Sequence, residues 1–230
     1  VLRVADKLSI GLITDTDPEE GVSSSYFITR ALAPQPDEQA AVRLQILHSQ
    51  KVTPESLHGL DTVFIDAASR MSGDAIRTLF DYLLQGSGVV FFLGPGAGMD
   101  NLNQLSRLAP DRGLLPFDPV QAVERDPNQD PVYLDVGTIE EHPLLRPFTG
   151  SAMQSLANVG LRRYYTTKAS RSDAAIVARL QSGDAAIASA PVGSGTLLLC
   201  NLSPDPAWSD LAKHAAFPAL LHQFIRGMRP

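Results

Sequence analysis

Ser72-Gly-Asp-Ala-Ile-Arg-Thr-Leu-Phe-Asp-Tyr-Leu-Leu-Gln-Gly-Ser-Gly-Val-Val-Phe-Phe-Leu93 is the stretch from which the fold is read. Ile76, Leu79, Phe80, Leu83 and Leu84 recur at i, i+3, i+4, i+7 and i+8, the spacing of one apolar helix face. Ser72 can cap the start of that helix, and Gly86 and Gly88 end it. Val89 to Leu93 is apolar without interruption, the pattern of a strand covered on both faces. On the other side, Thr62-Val-Phe-Ile-Asp66 is a second buried strand. Strand, helix and strand in succession predict a βαβ crossover with parallel strands.

Further toward the N-terminus, Leu8-Ser-Ile-Gly-Leu-Ile-Thr-Asp15 is a buried strand stopped by the turn-forming Asp15-Thr-Asp-Pro18. A helix is predicted from Ser23 to Leu32, ended by Pro34 and Pro36. Val42 to Leu47 alternates apolar and polar residues as a half-buried strand does. In the other direction, Pro110 to Pro131 is rich in Pro and Asp, so an irregular excursion is predicted there. Ala175 to Leu180, Ala185 to Ser189 and Thr196 to Leu202 are separated by Ser182-Gly-Asp184 and Gly193-Ser-Gly195, which predicts an antiparallel meander and hence a mixed sheet. A last helix aligns Phe217, Leu220, Leu221, Phe224, Ile225 and Met228 on one face. One α/β domain over residues 1–230 accommodates all of these elements, with helices on both faces of the sheet.

The 230 residues are 44% hydrophobic and 19% charged, the composition of a chain that folds. A net charge of −6 and the absence of any Lys/Arg run give no footprint for nucleic acid. The single cysteine, Cys200, lies in the apolar run Thr196 to Leu202; it excludes an internal disulfide and reads as a buried thiol. No apolar stretch reaches the ~20 residues that cross a bilayer. The start at Val1 and the end on Gly227-Met-Arg-Pro230 read as those of an excised piece of a larger protein.

Asp15 and Asp17 stand just past the carboxyl end of the first strand, where open α/β sheets bind ligands, and Asp66 ends another strand. An Asp-x-Asp pair there can hold Mg²⁺ and a phosphate, a pattern faintly similar to haloacid-dehalogenase-type phosphotransferases. Glu19 stands where that pattern wants Thr or Val, and no downstream acidic pair completes a metal site, so no metal and no cofactor are predicted and turn formation is the simpler role. Gly94-Pro-Gly-Ala-Gly98 follows a strand, where backbone N–H groups of Gly94, Gly96 and Gly98 can face an anion. It lacks the spacing of a dinucleotide fingerprint and the Lys-Ser/Thr of a P-loop, and a tight turn with close backbone packing is the preferred reading. The five histidines show no metal-ligand spacing; His142, before Pro143, is predicted to be extended at a loop or strand edge. Ser23-Ser-Ser25 reads as a helix cap.

Ser24-Ser-Tyr-Phe-Ile-Thr-Arg-Ala-Leu-Ala-Pro34, Leu79 to Pro95, Trp208-Ser-Asp-Leu211 and Phe217-Pro-Ala-Leu-Leu-His-Gln-Phe224 resemble the soluble C-terminal region of BatA-type (aerotolerance-regulator-like) bacterial membrane proteins. The resemblance implies a three-layer α/β/α sandwich with a mostly parallel, flavodoxin-like or class I glutamine-amidotransferase-like sheet and an antiparallel C-terminal extension. It implies a full-length protein anchored by membrane helices outside this chain, with the domain in the periplasm or otherwise extracytoplasmic. Its partners would be other domains of the same chain and other proteins of a membrane complex. Class I amidotransferases carry a nucleophilic Cys on the turn after a central strand. The matching turn here, Gly94 to Gly98, has no Cys, Ser or Thr. His142-Pro143-Leu144 is similar to a His-Pro segment of trehalose-utilisation-like domains, which makes His142 a candidate ligand contact. The expectation is a non-catalytic interaction or scaffold domain, the alternative a ligand-binding or divalent-metal-dependent hydrolase site at the carboxyl ends of the strands.

Overall fold

A computed structural model of the protein describes residues 7–34, 42–96, 98–110 and 113–228. Pro36 and Ala97, named above as part of a helix stop and of the glycine-rich turn, lie outside them. The first half contains β1 (Leu8–Ile13), α1 (Ser24–Leu32), β2 (Val42–Leu47), the short α2 (Pro54–Leu57), β3 (Thr62–Ile65), α3 (Gly73–Leu84), β4 (Gly88–Phe92) and α4 (Gly98–Ser106). The second half contains β5 (Phe117–Glu124), β6 (Val132–Tyr133), α5 (Val136–Glu141), α6 (Gly150–Ala157), β7 (Gly160–Leu161), β8 (Arg163–Ala169), β9 (Ala175–Arg179), β10 (Ala185–Val192), β11 (Gly195–Cys200) and α7 (Ala216–Gly227).

The central sheet has seven strands in the order β2-β1-β3-β4-β11-β10-β9. β2, β1, β3, β4 and β11 run parallel to one another, and β10 then pairs antiparallel with both β11 and β9. The mixed sheet and its C-terminal meander are therefore as the turn glycines indicate. Register explains why the central strands are apolar throughout. Phe64, Val90, Phe92, Leu198 and Cys200 point to one core, with α1 and α7; Val63, Ile65, Val89, Phe91, Leu197 and Leu199 point to the other, with α3 and α4. Each central strand is buried on both faces because helices cover both faces.

Local chemistry sets the helix ends. Ser72 Oγ accepts from Ala75 N and Ser23 Oγ from Tyr26 N, so both serine caps are as expected. Gly86, at φ +105°, ends α3 in a conformation that glycine adopts without steric cost. Gly195 permits a close approach: a Cβ there would collide with the carbonyl oxygens of both Leu83 and Ser87, at the point where β11 enters beside α3.

The segment from Pro110 to Pro131 departs from expectation. Instead of an irregular excursion it contains β5, which pairs antiparallel with β8 in a two-stranded ribbon. Its sequence, Phe-Asp-Pro-Val-Gln-Ala-Val-Glu, has little apolar patterning because only Phe117 is fully buried. Pro119 is tolerated because the register shifts between Pro119 and Gln121, the irregular place where a missing N–H does least harm. β11 ends at Cys200, two residues before the end of the apolar run Thr196 to Leu202, and the cysteine is fully buried.

Candidate functional site

The sheet order reverses at β1, with β2 on one side and β3 on the other, so the crevice beyond the carboxyl ends of β1 and β3 is the topological switch point where such folds bind ligands. Asp15 lies there but is occupied. Its Oδ1 accepts from Ser49 N at 2.9 Å and lies 3.0 Å from His48 Nδ1; its Oδ2 accepts from Ser49 Oγ at 2.5 Å and Ser69 N at 2.6 Å. His48 Nδ1 accepts from Gln50 N at 3.3 Å, capping the short turn that follows β2. Burial works to raise the Asp15 carboxyl, but the hydrogen bonds from Ser49 and Ser69 together outweigh it and hold the group below its ordinary range. Asp15 thus stitches together the segments that follow β1, β2 and β3. Asp17 is exposed and accepts from Glu19 N at 2.8 Å, a turn role.

Asp66, immediately after β3, is different. It is 1% exposed, its Oδ2 accepts from Ser24 Oγ at 2.5 Å, and its Oδ1 has no hydrogen-bond partner among the described residues. Burial raises its carboxyl to about 7 against the opposing hydrogen bond from Ser24, and the nearby Asp205 carboxylate adds to the rise. The next residue, Ala67, has φ +47°, a strained conformation for a residue with a Cβ. A chain of hydroxyls lies along the same crevice: Thr14 to Thr16 at 3.0 Å, Thr16 to Ser25 at 2.6 Å and Ser25 to Ser23 at 3.0 Å.

Gly94 and Gly96 follow β4 on the adjacent rim. A Cβ on Gly94 would sit 2.6 Å from Ser203 Oγ and 3.1 Å from Ser203 Cβ. Gly96 has φ +86°, and a Cβ there would lie 3.1 Å from the Ala68 carbonyl oxygen. This is the closely packed turn expected from the glycines. Gly98 opens α4 and is buried, with only ordinary contact distances around it.

Asp15, Asp66 and the Gly94 turn thus share one end of the sheet, but their carboxylates do not form a metal centre. Among the described residues no group of three His, Cys, Asp or Glu is arranged to hold an ion. His142 is elsewhere. It caps the C-terminal end of α5, in extended conformation as expected, and its Nδ1 accepts from Leu144 N at 3.2 Å. Partial burial lowers its pKa. α5 packs on β9, four strand positions from β3, a separation of roughly 19 Å at the usual strand spacing. Sequence reasoning missed Ser24 as a carboxyl partner, and it missed Ser203 and Asp205 altogether. The sequence Ser203-Pro-Asp205 directly after an apolar strand was the available signal.

No family model and no curated protein matches this chain. Solved structures do. It is similar to the cytoplasmic protein STM1381 from Salmonella typhimurium LT2, with TM-score 0.69 and 14% identity over 97% of this chain and 100% of that one. A second cytoplasmic protein of Salmonella typhimurium, STM3548, aligns with TM-score 0.68 and 12% identity over 96% of this chain and 98% of its own. A putative ThuA-like protein from Bacteroides uniformis aligns with TM-score 0.64 and 13% identity over 98% and 92% of the two chains. The fold is class I glutamine-amidotransferase-like. At these identities the likeness concerns the fold alone. Among the described residues, no helix is long and apolar enough to cross a membrane.

Proposed function

We propose that this is a non-catalytic interaction or scaffold domain of a larger bacterial protein, in which an amidotransferase-like fold has been kept without acyl-transfer chemistry. The observation that supports this best is the fit between Gly94 and Ser203. Covalent acyl transfer needs a side-chain nucleophile presented on the turn after the central strand. Here the Cβ that would carry it falls 2.6 Å from Ser203 Oγ. Ser203 is itself buried, and its Oγ accepts from Asp205 N at 3.2 Å rather than standing free on a turn.

The metal-dependent hydrolase reading draws less support, because both oxygens of Asp15 are engaged by the protein itself. Attachment to a membrane complex, with the domain on the extracytoplasmic side, rests on the resemblance to BatA-type proteins carried by residues 24–34, 79–95, 208–211 and 217–224. The Salmonella structures of the same fold are described as cytoplasmic, which makes the cytoplasmic face the alternative placement. The test is to express the full-length gene product in its host, separate membranes from soluble protein, and probe this domain with protease in intact spheroplasts. Membrane recovery with external cleavage, and a membrane protein that copurifies at fixed stoichiometry only while this domain is present, is the expected result. Recovery in the soluble fraction without a stoichiometric partner contradicts the proposal.

A further inference from the structure

A cavity of about 320 Å³ opens at the end of the sheet opposite the crevice, between α2 and α3 at the amino ends of β3 and β4. Its volume lies in the range of small-molecule sites. Pro54, Leu57, Leu60 and the Tyr82 ring form apolar walls, and Asp81 and His58 supply charge and polarity. The Tyr82 hydroxyl is already used, donating to the Leu60 carbonyl at 2.9 Å, so the tyrosine offers mainly its ring. Beside Gly59, at φ +76°, the wall is open: a Cβ there would meet nothing within 4 Å.

The fixed charge around this cavity is mainly negative, with His58 the basic side chain among its lining residues. α3 ends here, and the C-terminal end of a twelve-residue helix carries about half a negative charge. Natural helices offset that end with Lys, Arg or His⁺, but the last turn of α3 has no basic residue and instead carries Asp81, which is exposed. Asp61 adds negative potential at the Tyr82 hydroxyl, and Glu55 stands next to the lining residue Pro54. No Lys or Arg is among the lining residues. A carboxylate at a negative helix end is unfavourable by itself and becomes favourable when a cation lies between the two. An aromatic ring in the wall adds attraction for a cation and for an apolar body alike.

We propose that this cavity binds a small organic cation, an amine carried on an aromatic or aliphatic body, with Asp81 holding the charge and Leu57, Leu60 and Tyr82 enclosing the body. An anionic ligand of the same shape would meet repulsion from Asp81 and from the end of α3. The site is independent of the crevice around Asp66 and of the absence of acyl-transfer chemistry.

Three ligands of one shape test it: benzylamine, benzyl alcohol and benzoate, each titrated near neutral pH into the whole protein by ligand-observed NMR and calorimetry. Saturable benzylamine binding is expected, with benzyl alcohol about ten-fold weaker and benzoate not bound. Asp81→Asn, at an exposed position, should keep the wild-type melting temperature and reduce benzylamine to the level of the alcohol. Thr78→Trp, which fills the cavity from α3, should remove binding of both. Absence of saturable benzylamine binding, equal affinity for benzoate, or benzylamine affinity unchanged in Asp81→Asn overturns the proposal.

Discussion

Ser24 and Asp66 are joined by a 2.5 Å hydrogen bond, Ser24 Oγ donating to Asp66 Oδ2, which ties the first turn of α1 to the carboxyl end of β3 in a fully buried position. The second carboxyl oxygen has no hydrogen-bond partner among the described residues, and burial raises the group's pKa against the single hydrogen bond from Ser24.

The Asp66 carboxyl is raised by burial from its ordinary 3.8 to about 7, so in the unfolded chain it releases its proton first. As pH climbs from about 4 to about 7 the unfolded state is ionised while the folded state still binds the proton, and stability falls; above about 7 the loss is complete. Asp66→Asn should remove that loss. Denaturant unfolding near pH 8 should show the variant more stable than wild type by roughly 1–3 kcal/mol, with the difference shrinking toward pH 4. A variant less stable at both pH values would show that the carboxylate is well solvated or paired.

Cys200 is fully enclosed at the end of β11, and burial pushes its thiol well above its ordinary range. Cys200→Ser puts a hydroxyl among apolar neighbours and should cost roughly 1–3 kcal/mol. Iodoacetamide should label the native protein only at the rate of unfolding. Labelling as fast as in denaturant would place the thiol at the surface.

Asp15 gathers three donors, Ser49 N, Ser49 Oγ and Ser69 N, from the segments after β2 and β3. Asp15→Ala leaves Ser49 N and Ser69 N without their acceptor and should cost roughly 2–4 kcal/mol, more than a surface carboxylate would. The same occupation predicts no micromolar Mg²⁺ binding. A calorimetric titration with a micromolar site that Asp15→Ala abolishes would restore the metal reading.

Gly94 and Ser203 are a packing pair. Gly94→Ala alone should destabilise by roughly 1–3 kcal/mol through overpacking, and Ser203→Gly, which removes the opposing Oγ and Cβ, should recover part of that loss. A double-mutant cycle with no coupling would mean that the turn adapts by moving away from Ser203.

The buried parallel core was legible because its signals are local. Phe64, Val90 and Leu198 sit in unbroken apolar runs, and Ser23, Ser72 and Gly86 punctuate the helices beside them. β5 was not legible, because an exposed ribbon strand is held by backbone pairing to residues 39 to 52 positions away, and Pro119 argues locally against it. The site was half legible. Asp66 stood out as an acidic residue ending an apolar strand, but its hydrogen-bond donor Ser24 and the like-charged Asp205 come from α1 and from the segment after β11, and nothing local links them. Asp15 looked equally promising in sequence, and only the positions of Ser49 and Ser69 show that it is spoken for.

The proposed loss of acyl-transfer chemistry from an amidotransferase-like fold is measured most directly by turnover. Purified protein is assayed against glutamine and p-nitrophenyl acetate, alongside Ser203→Ala, which removes the hydroxyl that faces Gly94. Rates equal to buffer for both proteins are the expected result. Turnover well above buffer in wild type that disappears in a still-folded Ser203→Ala protein would overturn the non-catalytic reading and make Ser203 the nucleophile.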